Sequence, residues 1–451
     1  MANFSKSHVP QFSVEVYQNE YLPEGGRDVN AIVTVTSTGG GTVGGAVSAP
    51  HLYSVAGGGT DAAVALMVDC SGSMDYPPTK MRGAREASAA AIDALRDGVH
   101  FAVIAGTHVA KEIYPGEGRL AVADATTRGQ AKQALRKLSA GGGTAIGTWL
   151  RLADRLLASA DVPIRHGILL TDGRNEHESP EDLRASLDAC AGRFTCDARG
   201  VGTDWEVKEV TGIASALLGT ADIVADPAHL AEDFTQMMET AMGKEIADVA
   251  LRLWTPLGSE IKFVKQVAPT VEELTERRTE AGPRAGDYPT GSWGDESRDY
   301  HVCVQVPDAD IGQEMLAARV SLVIPQPDGS AQAVPLGAQG LVRVVWTDDM
   351  AASTSINPQV AHYTGQAELA QVIQQGLDAR KSGDADGATA KLGRAVQLAA
   401  LSGNADTAKL LSKVVDVVDA AEGTVRLKAK VAEADEMTLE TRSTKTVRVK
   451  K

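Results

Sequence analysis

Four cysteines in 451 residues are too few and too scattered to build a disulfide scaffold. Cys70, Cys190, Cys196 and Cys303 are read as buried or free thiols of a reducing compartment. Cys190 and Cys196 have no matching second pair, so a zinc site is not expected. Aromatic residues reach only 4%, which leaves little surface for stacking nucleobases. Positive charge is short as well: 44 Lys and Arg face 59 Asp and Glu, a net charge of −15. That is the wrong sign for a general phosphate-backbone binder. The longest apolar runs, such as 62–68 and 167–170, fall far short of the roughly 20 residues a membrane helix needs. The first twelve residues lack a basic segment followed by an apolar run, so no signal peptide is expected. The absences together predict a cytoplasmic protein with neither nucleic-acid nor membrane partners.

What is present is ample apolar content, 43%, and enough length for about three domains. The residue pattern changes three times. Residues 12–17 and 31–36 alternate apolar and polar positions around the turn-like Pro23-Glu24-Gly25-Gly26, which predicts two strands joined by a loop. A Gly/Ser/Thr/Pro spacer fills 37–50. Residues 60–242 alternate strands, near 63–69, 100–105, 110–114, 166–171, 194–200 and 221–224, with helical stretches near 81–97, 128–138, 146–159, 181–191, 205–217 and 227–242. Such alternation makes a doubly wound α/β domain with a mostly parallel sheet. The short link between Ala105 and Ala110 adds one antiparallel edge. Residues 245–348 return to alternating strands and read as an antiparallel β-sandwich. A lone hairpin is marginal in water, so the hairpin within residues 1–50 is expected to join those later strands, making the α/β domain an insertion in the sandwich. Three apolar stripes follow in 355–435: Leu369, Val372, Ile373, Leu377; then Ala388, Leu392, Ala395, Val396, Ala399; then Leu410, Leu411, Val414, Val415, Val418. With stops at Gly383 and Gly403 they predict a three-helix bundle. Residues 436–451 read as an exposed, basic, Thr-rich tail, with Arg442, Lys445, Arg448, Lys450 and Lys451 against Glu440.

The chemistry concentrates at Asp69-Cys70-Ser71-Gly72-Ser73. An apolar strand ends at Asp69, and the next turn offers two hydroxyls two residues apart. Such an oxygen-rich turn suits a hard cation. Cys70 is expected to point away from it, into the sheet. The loop Gly141-Gly142-Gly143-Thr144 brings another hydroxyl ahead of a helix, and Thr171-Asp172-Gly173 brings a second carboxylate to the end of another strand. In open α/β sheets, ligands gather at the carboxyl ends of strands near the switch in strand order. Asp69, Ser71, Ser73, Thr144 and Asp172 are therefore the candidate metal-binding set. His100, His108, His166 and His177 can approach it only through the fold. His177 is read as a solvated loop residue at most lining a rim, and His166 as a packed residue. Arg174, Asn175 and Glu176 are equally well ligand contacts or loop decoration. No Walker A loop and no Gly-x-Ser-x-Gly elbow is present, and Ser71 stands where an Asp-x-Asp phosphatase needs a second Asp.

Asp69-x-Ser71-x-Ser73, followed by Thr144 and Asp172, resembles the metal-ion-dependent adhesion site of the von Willebrand factor A family in order and spacing. The resemblance covers about 60–242 and is closest to the cytoplasmic bacterial type. It implies binding of Mg²⁺, with Mn²⁺ or Ca²⁺ as substitutes, and of protein ligands through an Asp or Glu carboxylate. It implies Ser71, Ser73 and Thr144 as direct ligands, with Asp69 and Asp172 as ligands or water-mediated supports. The expectation is a non-enzymatic interaction protein. The alternatives are an accessory subunit of a P-loop ATPase or chelatase-like machine, or a metal-dependent hydrolase. The tail also resembles threonine-rich segments read, once phosphorylated, by forkhead-associated domains. This makes Thr441, Thr444 and Thr446 candidate phosphorylation sites and suggests a scaffold in Ser/Thr phosphorylation signalling.

Overall fold

The computed structural model describes residues 10–38, 62–224, 226–325 and 333–449. Most of the expected 37–50 spacer lies outside these. The described residues form two compact units: those within 38–247 and 291–295 belong to the first, and those within 11–37, 248–290 and 296–449 to the second.

In the first unit, strands β1 (Ala62–Asp69), β2 (His100–Gly106), β3 (Lys111–Tyr114), β4 (Ala121–Val122), β5 (Ile164–Thr171), β6 (Thr195–Val201) and β7 (Ala221–Val224) form one seven-stranded sheet. Its order is β7-β6-β5-β1-β2-β3, with β4 also paired to β2. β1 is parallel to both β2 and β5, whereas β3 runs antiparallel to β2. All eight residues of β1 are buried, as expected of a strand covered on both faces. On one face Val64, Leu66 and Val68 share a core with Met81, Ala84 and Ala87 of helix α1 (Thr79–Ala94) and with Phe234 and Met238 of another helix, Leu230–Met242. On the other, Trp149 of the helix Ile146–Leu157 is fully buried and lies so close over Gly106 that a Cβ there would sit 2.4 Å from the indole. Because β2 and β5 flank β1 on opposite sides, the chain changes direction across the sheet at β1, and Asp69 and Thr171 end adjacent strands.

In the second unit, Gln11–Gln18, Asp28–Thr38, Glu296–Gln305, Glu260–Ala268 and Glu272–Glu273 make a five-stranded sheet in that order. A six-stranded sheet runs Thr279–Glu280, Ala285–Trp293, Ile246–Trp254, Glu314–Ile324, Val334–Trp346, Tyr21–Leu22. Asp28–Thr38 pairs antiparallel with Glu296–Gln305, from Ser37 opposite Glu296 to Asp28 opposite Gln305. The N-terminal strands thus lie in the same sheet system as the later ones. The sheets meet closely where Gly340 faces Val14 and Val16, at a spacing that leaves no room for a Cβ. The other face of the five-stranded sheet carries Ile32, Val267 and Ala268, which pack on Val360 and Tyr363 of the long helix Pro358–Ser382.

That helix, then Ala385–Ser402 and Ala405–Val414, follow the three stripes. Their N-caps are Asn357, Asp384 and Asn404, and the first two stop at Gly383 and Gly403, both left-handed. The third stripe is corrected by the structure. The helix ends at Val414, and Val415–Asp419 pairs with Thr424–Leu427 as a hairpin. The β-branched run Val414, Val415, Val417, Val418 explains it, since stiff branched side chains favour extended backbone. The exposed tail is also corrected. Glu433–Arg442 is helical, with Met437, Leu439, Glu440 and Thr441 buried. Beyond it the chain is tied down: Val271 N donates to Thr444 O at 2.8 Å, Thr446 N to Pro269 O at 2.9 Å, and Thr446 Oγ1 to Val267 O at 2.7 Å. Glu440 pairs with Lys381 and Arg448 with Asp299. The sequence shows the net charge of the segment but not these partners, which lie far away in the chain.

Candidate metal centre

β1 and β5 deliver Asp69 and Asp172 to one end of the sheet with no exposed surface on either. Asp69 Oδ1 accepts from Ser71 N at 2.8 Å and Oδ2 from Thr171 Oγ1 at 2.7 Å. These bonds close the turn and fix where Ser71 and Ser73 point. The two serine hydroxyls lie 2.9 Å apart, and Ser73 Oγ donates to Asp172 Oδ1 at 2.7 Å. Burial holds the Asp69 carboxyl above its ordinary range, only partly opposed by the hydrogen bonds from Ser71 and Thr171.

The glycine-rich loop is laced to the same turn. Gly72 N donates to Gly142 O at 2.9 Å and Gly141 N to Cys70 O at 2.8 Å. Gly142 has a φ of +85°, a conformation glycine adopts at little cost. Two residues on, Thr144 is buried, and its Oγ1 makes no hydrogen bond to any described residue. A single point, where a Cβ on Gly173 would lie, is 3.0 Å from Ser73 Oγ, 3.6 Å from Thr144 Oγ1 and 3.9 Å from Ser71 Oγ. Three hydroxyl oxygens thus converge beside two buried carboxylates. This hard-oxygen set fits Mg²⁺ and other hard cations. Among the described residues no three His, Cys, Asp or Glu side chains are grouped as metal ligands; the convergent donors here are hydroxyls.

The surroundings settle several roles. Cys70 lies in the apolar core, its Sγ 3.4 Å from Val68 O, and burial pushes the thiol up to about 12. It is not a ready nucleophile. All four cysteines are free and buried. Asn175 is buried and caps the helix Ile146–Leu157, accepting from Ile146 N at 2.8 Å, while Glu178 accepts from Gly147 N. Arg174 is exposed and pairs with Glu206. His177 and His108 are exposed at the rim of the loop. Their Nδ1 atoms accept from Thr144 N at 3.2 Å and Gly143 N at 3.4 Å. His177 therefore buttresses the loop rather than hanging free. His166 is buried against Asp197 at 2.9 Å.

Sequence reading missed Lys80. Its side chain is 7% exposed, and Nζ lies 2.7 Å from Asp172 Oδ2 and 2.7 Å from Asp204 Oδ2. The signal was there: position 80 falls on the buried stripe of α1 with Ala84, Ala87, Ser88 and Ala91, and it sits in a first turn, where a cation opposes the helix dipole. Burial disfavours the charged form, but the carboxylates of Asp172 and Asp204 outweigh it and hold the ammonium above its usual pKa.

The family model for the von Willebrand factor type A domain matches residues 62–223, and that for the von Willebrand factor type A C-terminal domain matches 397–443. Among solved structures, von Willebrand factor type A from Catenulispora acidiphila is 51% identical over 99% of both chains, with a TM-score of 0.89. The ArnB paralog VWA2 from Sulfolobus acidocaldarius shares the fold at 14% identity, over 96% of this chain and 98% of that one, with a TM-score of 0.59. No curated protein matches the chain. On the strength of a half-identical relative matched along almost its full length, the chain belongs to the von Willebrand factor type A family.

Proposed function

We propose that this protein is a non-enzymatic, metal-dependent protein-interaction module that captures an Asp or Glu carboxylate of a protein partner. The observation that carries this reading is the convergence of Ser71, Ser73 and Thr144 oxygens on one point beside buried Asp69 and Asp172. Those hydroxyls would hold Mg²⁺, with Mn²⁺ or Ca²⁺ as substitutes, and the carboxylates would support them directly or through water. The ion would supply a hard positive charge for an incoming carboxylate. Asp69 orients Ser71 through its backbone N–H, Asp172 orients Ser73 through its hydroxyl, and His177 fixes the loop that carries Thr144. Burial of both carboxylates keeps water from screening the charges.

Four unpaired buried cysteines support a reducing, cytoplasmic setting. No helix among the described residues is long and apolar enough to cross a membrane. A signalling role through a phosphorylated tail would require that segment to open first. Thr441 is 4% exposed and its hydroxyl donates to Met437 O, and Thr446 Oγ1 donates to Val267 O.

The test is a pull-down of the full chain with Mg²⁺ or EDTA, with partners identified by mass spectrometry. Capture with Mg²⁺ that is lost in EDTA and in Asp69→Ala supports the reading. Equal capture in EDTA overturns it. Co-purification of a P-loop ATPase would favour the accessory-subunit alternative.

A further inference from the structure

The hydroxyl-and-carboxylate set accounts for holding a cation, but not for a buried lysine placed against it. A lysine facing a hydrophobic core normally swings its head to water. Lys80 instead brings its ammonium to Asp172, deep in the site, and anchors its outer side on Asp204, a surface residue with a 67% exposed side chain. Asp172 Oδ2 sits at ion-pair distance from Nζ yet receives no well-angled hydrogen bond.

Charge must be nearly balanced where groups are dry. The buried groups are two carboxylates, Asp69 and Asp172, and one ammonium, Lys80. They leave one net negative charge. A divalent cation added to that set leaves one net positive charge, which a single carboxylate from outside cancels. With a neutral side chain at position 80, the loaded set would already be neutral and would have little further demand for an anion. The repulsion between ammonium and cation works the other way, against uptake of the ion itself.

Resting on the metal-site reading above, we infer that Lys80 is a built-in counter-cation that weakens the site's hold on a divalent ion and leaves the loaded site one positive charge in excess, so that it selects an anionic ligand. Asp204 tempers this by sharing the ammonium with Asp172. Lys80 acts through charge and position and is not itself a ligand.

The test is calorimetric titration of the full chain with Mg²⁺ and with Mn²⁺, without and with acetate as a carboxylate probe. Wild type is compared with Lys80→Met, Asp204→Asn and Thr144→Ala. Lys80→Met is expected to bind either ion about tenfold more tightly or better, since one nearby repulsive charge has gone. Asp204→Asn should bind several-fold more weakly, because the ammonium is then unshared. Acetate should strengthen binding in wild type and do so less in Lys80→Met. Thermal melting with and without Mg²⁺ checks folding: Lys80→Met should melt lower in EDTA and regain more with Mg²⁺ than wild type does. Unchanged or weaker binding in Lys80→Met overturns the inference, as does a shift of both variants in the same direction. If Lys80→Met does not fold, unchanged affinity in Asp204→Asn overturns it alone. Wild-type binding that Thr144→Ala abolishes, with no effect at positions 80 or 204, sinks the role of Lys80 and leaves the metal site standing. Wild type that takes up neither ion removes both.

Discussion

Two buried aspartate clusters, one in each unit, are built on opposite plans. Asp299 in the second unit accepts from Thr34 Oγ1 at 2.6 Å and Tyr363 OH at 2.5 Å, and it pairs with Arg448 at 3.0 Å. Its partners come from a neighbouring strand, a helix and the C-terminal segment, and they satisfy it fully. Asp69 and Asp172 in the first unit are just as buried, but hydroxyls that themselves offer lone pairs surround them, and Thr144 Oγ1 makes no hydrogen bond to any described residue. Asp69 is itself satisfied by Ser71 N and Thr171 Oγ1; what sets its cluster apart is the group of hydroxyl oxygens beside it with lone pairs still open. Burial alone does not distinguish the two; the balance of donors and acceptors does.

The comparison can be broken where its two halves are supposed to differ. Asp299→Ala should cost the second unit about 2–4 kcal/mol, mainly because it strands the buried Tyr363 phenol and the Thr34 hydroxyl, whereas the half-exposed Arg448 guanidinium keeps its water. It should leave Mg²⁺ affinity unchanged, as read by denaturant melts beside calorimetry. Thr144→Ala should do the reverse. Its hydroxyl has no partner to strand among the described residues, so melting in EDTA should barely move, while Mg²⁺ affinity should fall about a hundredfold, on the order of 2.7 kcal/mol. If Thr144→Ala unfolds the protein, the open cluster is structural after all.

A third prediction tests whether the second unit responds to acid on its own. Burial, then Lys265, pushes His301 down from 6.5 to about 4, with Asn30 Oδ1 at 3.0 Å from Nε2. The unfolded chain therefore takes up this proton at a higher pH than the folded one. The stability is complete above about pH 6.5 and is lost progressively as pH falls towards 4, on the order of 2–3 kcal/mol. His301→Gln should flatten that slope in urea melts run across the window. Tyr363→Phe should have the smallest effect, about 1–2 kcal/mol for one hydrogen bond to a charged acceptor, with no change in metal uptake.

How much of this was legible beforehand depends on range. The five oxygen-bearing residues of the site fall in local strings, strand end then turn, whose spacing carries the chemistry, so the sequence displays them directly. The strand–helix alternation of the first unit is likewise a local periodicity. Lys80 was hidden by composition: a lysine in a helix reads as a solvated residue until its place on the apolar stripe is weighed. The C-terminal segment reads as an exposed tail because a net charge carries no sign of distant partners. Glu440 and Arg448 reach residues 59 and 149 positions away. The strand at Val415–Asp419 is hidden because an apolar spacing of three and four fits a helix even where branched side chains prefer to extend. The Ala285–Trp293 strand, rich in glycine and polar residues, gave no alternation to read.

The pairing of Asp28–Thr38 with Glu296–Gln305 also bears on how the chain reaches this state. Thr34 meets Asp299 across 265 positions, and the last clamp on Asp299, Arg448, arrives later still. During synthesis, Gln11–Gln18 and Asp28–Thr38 can pair with each other, but the other edge of Asp28–Thr38 must wait for Glu296–Gln305 while more than two hundred residues emerge. Contacts of such separation form slowly, and domains generally fold as units, N-terminal first. The α/β unit is therefore expected to complete its fold before the sheet containing Asp28–Thr38 and Glu296–Gln305 closes.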